Sequence, residues 1–562
     1  MKSNLLSPPS RLRANLLPKL LFLFSAILSI VTTYYVTGHI LDSDASSELV
    51  LAKQLAETGK ILSSDWYYST ELRVVNTQLV YAPMFLLFHD WHLVRFFSAL
   101  VMQAVYILSY GFLLHQSGFS RNSFYGSASL LLLPVSVTYG RIVLYHCYYM
   151  PHIIISFLLV GLFLGFASKK QLFSVKGGLR LFCLLALAFL GGLGGIRQLM
   201  ITHAPMLLAV LLACIAEDFH NGKTDTPSLL SRQKLILLAV ALLSLAAAFL
   251  GYKVYTGVFP RYYNFSSGYT NTDLGILDFS ELGEVLYGFL HQFGFRKEIS
   301  MLSILGILSL GGIFAAGYCV YLAVRNSCAH RPGKDLRKTL VCSFFLCYTV
   351  VMTAVFLITS SYYYYPLYYA LCLSWAVPLL LSIPEHVPQD LHPLHMKRLF
   401  SWAAVLILFV NGLANAAYFN GVEKFDQVYE GLTIQEKDKA GQMAPVVAFL
   451  VENGYDAGYA DFVEGNLVTE LSDGQVAMTN LRIPGTFDDN TMELQYYNWL
   501  TSQWQQEAPK EKPFLLLRQR NLNRFENSGY FQYCTQVYTD EFHGVYRIDD
   551  LEGFLNLVAY TE

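Results

Sequence analysis

The sequence predicts a polytopic α-helical membrane protein of about eleven transmembrane helices, followed by a C-terminal soluble α/β domain. Of the 562 residues, 54% are hydrophobic and only 14% are charged, whereas soluble domains usually contain about 25% charged residues. The charges are also divided unevenly, since residues 421–562 carry a net −13 and the residues before them carry +11. This composition excludes a disordered, collagen-like or disulfide-stapled chain.

Eleven apolar runs have about the 20-residue length that spans a bilayer as a helix. The 180–216 region is nearly continuous, and we expect two helices there with a tight turn at Arg197 and Gln198. A signal peptide is the alternative for the first run, but no small-x-small cleavage site follows it, so we expect an uncleaved first helix. The runs lie near 18–37, 93–115, 123–139, 149–167, 180–196, 199–216, 235–255, 300–324, 340–360, 366–383 and 399–419.

Basic residues in the connecting segments predict the orientation. With a cytoplasmic N-terminus, 19 of the 29 Lys and Arg residues before position 421 face the cytoplasm, in agreement with the positive-inside rule. Long outer loops at 38–92 and 256–299 follow, and an odd number of helices places the acidic tail outside. We therefore expect a membrane domain over 1–420 and an extracytoplasmic α/β domain over 421–562, in a bacterial plasma membrane.

The tail alternates apolar stretches with turn residues. Its patterns predict short helices and strands, and Asp473 with Gly474 has the composition of a hairpin turn. The expected helices cover 444–451 and 495–506, and the expected strands cover 456–459, 467–470, 475–478 and 514–517.

Motifs for nucleotides, nucleic acids and metals are missing from the sequence. It has no glycine-rich phosphate loop, which argues against an ATP-driven pump. Its nine cysteines lie mostly within apolar runs and have no metal-ligand spacing. We expect no nucleic-acid partner and no cofactor.

The segment after the first helix carries the most informative polar residues. Asp42, Asp44 and Glu48 lie where that helix meets the outer surface. Apolar residues then recur at helical spacing as far as Gly59, which predicts an amphipathic helix lying along the membrane. A carboxylate held there can take a proton from an acceptor hydroxyl. The alternative, which composition alone favours, is that these acids only cap the helix and remain solvated.

This pattern resembles the membrane glycosyltransferases of the GT-C fold, in particular the protein O-mannosyltransferase and aminoarabinose transferase branch, which uses polyprenyl-phosphate sugars. In that branch an Asp lies fifteen residues before the Gly that ends the surface helix, and Asp44 has this spacing from Gly59. Further similar features are Trp66, the run 67–73, the segment 76–83 leading to Arg95, and residues 458–462 and 468–473 of the tail.

The resemblance implies an inverting hexosyl- or pentosyltransferase that moves a sugar from a polyprenyl-phosphate donor to an envelope glycan, lipid or protein. Asp44 would be the catalytic base. The supporting residues would be Asp42, Glu48, Glu71 and His146.

The sequence also departs from the pattern of that branch. Ala45 stands where the branch often has a Glu after the Asp, and the second outer loop, 139–149, contains Arg141 and His146 but no acid. Because an ion site usually needs two or more oxygen ligands, we expect no essential metal.

Arginine side chains are the candidates for binding the lipid phosphate, since a planar guanidinium matches a phosphate. Arg141, Arg197 and Arg261 all lie at outer helix ends in the predicted topology. For each of them, an interfacial side chain that extends to water is the alternative.

Two other functions compete with the enzyme. A transporter or flippase of a lipid-linked or small solute tends to have internal repeats and binding residues near the middle of the membrane. We find no repeat between the halves, and the acids cluster at the outer boundary, which favours the enzyme. A non-catalytic scaffold for envelope assembly would suit the acidic tail but would not require Asp44.

Overall fold

Helices make up most of the chain before residue 422, and a mixed α/β region follows residue 437. The computed structural model describes residues 9–72, 74–167, 174–221, 232–265, 279–297, 299–328, 336–359, 365–382, 392–422, 437–484, 492–503, 505 and 511–560. The chain divides into two compact units. The first unit is Met1–Thr33, Ala99–Thr256 and Asn271–Gly431, and the second is Tyr34–Ser98, Gly257–Thr270 and Leu432–Glu562.

The helices before residue 422 are α1 (Pro9–His39), α2 (Ser43–Thr58), α3 (Gln78–Met84), α4 (Trp91–Gln116), α5 (Arg121–Leu131), α6 (Val137–Tyr139), α7 (Met150–Leu164), α8 (Val175–Leu193), α9 (Ala204–Asn221), α10 (Arg232–Gly257), α11 (Phe279–His291), α12 (Ile304–Cys328), α13 (Leu336–Ile358), α14 (Tyr365–Ser382) and α15 (His392–Phe419). Two π-helical turns, Gly140–Tyr145 and Leu199–His203, precede α7 and α9. Turns of this kind are rare and are frequent at functional sites.

Eight helices are long and apolar enough to cross a membrane within the described ranges. The predicted runs at 199–216 and 366–383 correspond to shorter apolar helices, Leu199–Ile215 and Pro366–Leu380. The run at 123–139 is interrupted because α5 ends at Leu131, and the residue before Pro134 is disfavoured in helical conformation. The chain is therefore a multi-pass membrane protein, as predicted, but the number of eleven spans is not confirmed.

Close helix packing in the first unit depends on small residues. A Cβ atom added to Gly192 would overlap the carbonyl oxygen of Ala248, and one added to Gly251 would overlap that of Phe189. Helices α8 and α10 thus approach each other backbone to backbone, as small residues allow in membrane helices. Elsewhere in this unit α13 packs against α9 and α12.

The α/β part of the second unit contains helices and strands of moderate length. Its helices are α16 (Lys439–Glu452), α17 (Phe462–Leu471), α18 (Leu522–Glu526) and α19 (Leu551–Leu555). The strands of the whole unit are β1 (Trp66–Tyr68), β2 (Asn264–Phe265), β3 (Ala457–Asp461), β4 (Ala477–Arg482), β5 (Gln495–Tyr496), β6 (Thr501–Ser502), β7 (Phe514–Arg518), β8 (Cys534–Thr539), β9 (His543–Ile548) and β10 (Ala559–Tyr560).

Seven of these strands form one mixed sheet in the order β10–β5–β4–β3–β7–β9–β8. The central strand β3 is parallel to both β4 and β7, whereas β9 is antiparallel to its neighbours β7 and β8. Successive residues of a strand face opposite sides of a sheet. Accordingly, Ala460 and Met478 belong to one hydrophobic core, and Tyr459 and Leu481 belong to the other.

A second, three-stranded sheet joins distant parts of the second unit. Strand β1 is parallel to β2, with Tyr67 opposite Asn264, and antiparallel to β6, with Tyr67 also opposite Thr501. Residues from both predicted outer loops and from the tail therefore share one sheet. The segment after the first helix folds with the tail in the second unit.

Several expectations for the tail are confirmed, and three are wrong. Helix α16 and strands β3, β4 and β7 lie at or close to the predicted positions. Residues 467–470 are helical, because α17 buries one side against β3 and β4. Asp473 and Gly474 connect α17 to β4, which is parallel to β3, so they do not form a hairpin. In the described part of 495–506, the short strands β5 (Gln495–Tyr496) and β6 (Thr501–Ser502) occupy positions where the pattern predicted a helix.

Candidate functional site

Helix α2 begins with a side-chain cap from Asp42. This residue is extended, with φ −141°, and its Oδ1 accepts hydrogen bonds from the backbone N–H groups of Asp44 (2.9 Å) and Ala45 (3.4 Å). Aspartate is among the preferred N-cap residues because it satisfies amides that lack a helical partner. The helix ends as predicted at Gly59, whose φ of +64° favours glycine. The structure thus gives Asp42 a capping role.

Asp44 lies in the first turn of α2 and is half-buried. Its N–H bonds to Asp42, and its carbonyl oxygen accepts a 2.6 Å hydrogen bond from the Ser47 hydroxyl. The backbone of Asp44 is therefore held on both sides. The amide dipoles at this end of a helix also favour a carboxylate.

Glu48 and Glu71 lie in the same unit as Asp44 but differ in burial. The Glu48 side chain is only 3% exposed and accepts a hydrogen bond from the Thr77 hydroxyl, which stands just before α3. Glu71 is half-buried in the segment between β1 and α3.

A buried ion pair that the sequence analysis did not identify lies beside α2. The Nε and Nη2 atoms of Arg95 donate to the two carboxylate oxygens of Glu470 at 2.7 and 2.5 Å. The hydroxyl of Ser46 donates to the same carboxylate at 2.5 Å. A bidentate guanidinium–carboxylate pair of this kind is strong and geometrically specific. The sequence had placed Arg95 after the similar segment 76–83 and Glu470 within the similar segment 468–473, but it did not pair them.

The turn after α17 makes a second contact with the start of α4. Asp473 accepts a 2.9 Å hydrogen bond from the backbone N–H of Trp91. Burial raises the pKa of the Asp473 carboxyl, and the hydrogen bond from Trp91 opposes this rise in part. Asp473 also has a left-handed backbone with φ +50°, a conformation that is unfavourable for a residue other than glycine.

Arg197, in the first unit, lies within a ring of polar and aromatic side chains. Its Nη1 donates to Nε2 of His152 at 2.9 Å, and its Nε donates to the Tyr368 hydroxyl at 3.2 Å. The guanidinium carbon also lies 4.7 Å from the centre of the Tyr149 ring, within the range of a cation–π interaction. The side chain is half-buried, so it is held in place rather than extended into solvent.

The second predicted outer loop contains Arg141 and His146 in an irregular backbone. Arg141 is exposed within the π-helical turn Gly140–Tyr145, and His146, directly after that turn, is 1% exposed. The His146 ring stacks on Tyr148, which contacts Tyr149 edge to face. A chain of aromatic contacts therefore connects His146 to the surroundings of Arg197. Cys147 has φ +62°, so the backbone is strained here.

Arg261 belongs to the second unit, where it is exposed in a 3-10 turn, Phe259–Arg261. The structure thus groups Asp42, Asp44, Glu48, Glu71 and Arg261 in the second unit and Arg141, His146 and Arg197 in the first. Among the residues that the structure describes, no three His, Cys, Asp or Glu side chains are arranged to hold a metal ion.

Comparison with solved structures finds proteins with a similar fold. ArnT from Cupriavidus metallidurans bound to undecaprenyl phosphate has a TM-score of 0.52 and 12% sequence identity, over 95% of this chain and 98% of ArnT. The apo state of the same protein has a TM-score of 0.50 and 11% identity over the same shares. An oligosaccharyltransferase from Archaeoglobus fulgidus, in complex with zinc and sulfate, has a TM-score of 0.45 and 13% identity, over 81% of this chain and 61% of that one.

No protein-family model and no curated protein matches the sequence. The similarity to ArnT nevertheless extends over nearly the whole of both chains. It confirms the fold that the sequence pattern around Asp44 and Gly59 predicted. The chain is a multi-pass membrane protein with the GT-C fold of ArnT.

Proposed function

We propose that this protein is a membrane glycosyltransferase that moves a sugar from a polyprenyl-phosphate donor to a hydroxyl group of an envelope glycan, lipid or protein. The observation that carries the proposal is the fold match with ArnT, whose solved structure contains undecaprenyl phosphate. The capped start of α2, which presents the half-buried Asp44, supports it. A fold alone does not define a reaction, so the remaining steps rest on the site residues.

In the proposed reaction Asp44 is the general base. It takes the proton of the acceptor hydroxyl, whose oxygen then attacks the anomeric carbon of the donor sugar. The new carbon–oxygen bond forms on the face opposite the phosphate, and the bond from the anomeric carbon to the phosphate oxygen breaks. Polyprenyl phosphate leaves with the bonding electrons, so the configuration at the anomeric carbon inverts. A general base contributes about 10²–10⁴-fold to such a rate.

The leaving phosphate requires cations, and we assign this role to Arg197, Arg141 and Arg261. Arg197 is the strongest candidate, because Tyr149, His152 and Tyr368 hold its guanidinium. Preorganised charge stabilises a developing phosphate charge without a reorganisation cost during the reaction. We assign supporting roles to Glu48, Glu71 and His146.

We also propose that the N-terminus is cytoplasmic and that the α/β domain over 421–562 lies outside the cytoplasm. The distribution of Lys and Arg over the connecting segments supports this orientation. A reporter fusion at residue 562 that is active only outside the cytoplasm tests it. A cytoplasmic signal from that fusion would place the proposed site on the wrong side.

The decisive assay uses the purified full-length protein in detergent with undecaprenyl-phosphate sugars and envelope acceptors. We expect the wild type to transfer sugar and release undecaprenyl phosphate, and Asp44→Asn to be slower by about 10²–10⁴-fold. Glu57→Gln is the matched control, because Glu57 lies in the exposed last turn of the same helix. Transfer by Asp44→Asn at the wild-type rate would exclude Asp44 as the base.

A transporter or flippase of a lipid-linked or small solute is the alternative function. It predicts no consumption of any polyprenyl-phosphate sugar, together with movement of the lipid between leaflets when the protein is placed in vesicles. Sugar transfer by the wild type would exclude a purely transporting protein.

A further inference from the structure

The buried contact between Glu470 and helix α2 joins the tail to the segment that carries Asp44. Ser46 and Arg95 are each 0% exposed, and Glu470 is 4% exposed. The Glu470 carboxylate accepts from the Ser46 hydroxyl at 2.5 Å and from two nitrogens of Arg95 at 2.5 and 2.7 Å. Hydrogen bonds to a buried charge are strong because water does not compete for them. The three side chains therefore hold one another in a defined arrangement.

The contact lies directly beside the proposed base. Ser46 follows Asp44 by two residues in the first turn of α2, and its N–H bonds to the carbonyl oxygen of Asp42 at 2.8 Å. The neighbouring Ser47 hydroxyl bonds to the Asp44 carbonyl oxygen. Fixing the Ser46 side chain thus fixes the turn on which the Asp44 carboxylate stands.

A second contact keeps the same end of α17 in place. Asp473 accepts from the Trp91 N–H at 2.9 Å, four residues before Arg95 on α4. Asp473 adopts φ +50° and the next residue, Gly474, φ +78°. A strained non-glycine conformation persists only where its surroundings require it. The end of α17 is therefore attached to α4 at two points and to α2 at one.

We propose that Glu470 is a positioning residue for Asp44. Through the Ser46 hydroxyl it holds the first turn of α2, while Arg95 fixes the Glu470 carboxylate. Glu470 itself does not contact substrate in this proposal. The inference rests on the proposed role of Asp44 as the base, and it makes the tail part of the catalytic apparatus rather than an appended domain.

The first test compares two buried glutamates of α17 in the sugar-transfer assay. Glu470→Gln removes the charge that binds Arg95, and we expect kcat to fall by about 10–100-fold, because a small misplacement of a reacting group costs up to about 10²-fold. The KM for the donor should stay within about twofold, since only transition-state interactions change.

The matched control for Glu470→Gln is Glu464→Gln. Glu464 is likewise 4% exposed and ion-paired, with Arg518 at 2.7 Å and His543 at 2.9 Å. These ion pairs lie within the α/β part of the tail and do not involve α2. We expect Glu464→Gln to keep its kcat even if its melting temperature falls as far as that of Glu470→Gln.

The second test leaves the ion pair intact. Ser46→Ala removes only the hydroxyl that links α2 to Glu470, so we expect a lower kcat with a smaller fall in melting temperature than in Glu470→Gln, which loses the charge that pairs with Arg95. Thr58→Ala is its control, because the Thr58 hydroxyl bonds only within the last turn of α2, to Gln54 and Leu55. Adding Glu470→Gln to Ser46→Ala should lower kcat by less than the product of the two separate effects, as expected for residues that act as a unit.

The outcomes separate this inference from the proposed function. If the wild type transfers no sugar, the proposed function fails. If the wild type is active and both Ser46→Ala and Glu470→Gln keep the kcat of their controls, Glu470 has only a structural role and the inference is overturned. A fall in kcat for Ser46→Ala relative to Thr58→Ala, with both proteins folded at the assay temperature, supports it even if Glu470→Gln does not fold.

Discussion

Arg197 donates a 2.9 Å hydrogen bond from Nη1 to Nε2 of His152. A guanidinium has no acceptor, so Nε2 must accept and the imidazole is neutral, with its proton on Nδ1. His152 thereby orients the arginine without adding a second positive charge. Gln198 supports this arrangement, since its Nε2 donates to the His152 carbonyl oxygen at 3.1 Å. A held guanidinium is what binding of a phosphate through two parallel hydrogen bonds requires.

Arg197→Lys should raise the KM for the polyprenyl-phosphate donor by about tenfold, which corresponds to about 1.4 kcal/mol of binding free energy. Lysine keeps the charge but loses the planar fork and the contact with Tyr149. Steady-state kinetics with varied donor concentration measures the change. Arg180→Lys on α8 is the control, because Arg180 donates a hydrogen bond to Gln116, which is not a residue of the proposed site. An unchanged KM for Arg197→Lys would remove Arg197 from the phosphate site.

Removing only one partner of the ion pair between Arg95 and Glu470 should strongly destabilise the fold. Glu470→Leu leaves the Arg95 charge buried without its carboxylate, which typically costs about 3–5 kcal/mol. We expect a large drop in the melting temperature of the purified protein. Combining it with Arg95→Met should recover much of that drop, because two apolar side chains leave no buried charge uncompensated. A double variant as unstable as Glu470→Leu would show that the pair is not the source of the loss.

Substitutions of Asp42 should separate its capping role from the role of Asp44. Asp42→Ala removes the acceptor for two backbone amides and should destabilise the start of α2 by about 1 kcal/mol, whereas Asp42→Asn keeps an N-cap acceptor. Hydrogen–deuterium exchange of the peptide that contains Asp44 and Ala45 measures this local opening. Exchange should accelerate in Asp42→Ala and stay near the wild-type rate in Asp42→Asn. Equal exchange in all three proteins would mean that the cap does not hold this turn.

Glu464 should make the stability of the tail depend on pH. Burial alone would raise its pKa, but the hydrogen bond from His543 and the charge of Arg518 outweigh burial, and the pKa falls below its ordinary value of 4.5. A carboxyl whose pKa is lower in the folded state stabilises the fold above its unfolded pKa, and this contribution is lost as the pH falls through the folded value.

The measurement for Glu464 is the melting temperature of the wild type and of Glu464→Gln as a function of pH. We expect the wild type to be the more stable at neutral pH. The difference should shrink as the pH is lowered through the region below 4.5. A difference that does not change with pH would contradict the assigned cause.

Local patterns were sufficient for much of the fold. Hydrophobic runs of membrane-spanning length located the long helices, and Gly59 marked the end of α2, because a left-handed residue at this position ends a helix. The patterns failed where tertiary packing outweighs local preference. Residues 467–470 have a strand-like composition but are helical, because α17 packs between the sheet and α2.

Local patterns likewise placed some residues of the candidate site but could not identify the partners of those residues. Asp44 and Glu48 could be placed on one helix because their spacing to Gly59 is a local property. Thr77, Tyr368 and Glu470 could not be assigned as partners, since no spacing rule relates residues so far apart in the chain. Arg95 and Glu470 are separated by 375 positions, and only the folded chain brings them together.

The sequence by itself determined the membrane class, the presence of helix α2 and its end at Gly59, because length, hydropathy and capping act over a few turns of chain. Tertiary structure decided the structural role of each carboxylate. Asp42 caps α2, Glu48 bonds to Thr77, and Glu470 pairs with Arg95. The physical reason is that a buried charge is stable only when it is paired or hydrogen-bonded. The partner comes from whichever segment packs against the charge, and this packing joins segments that are distant in the chain.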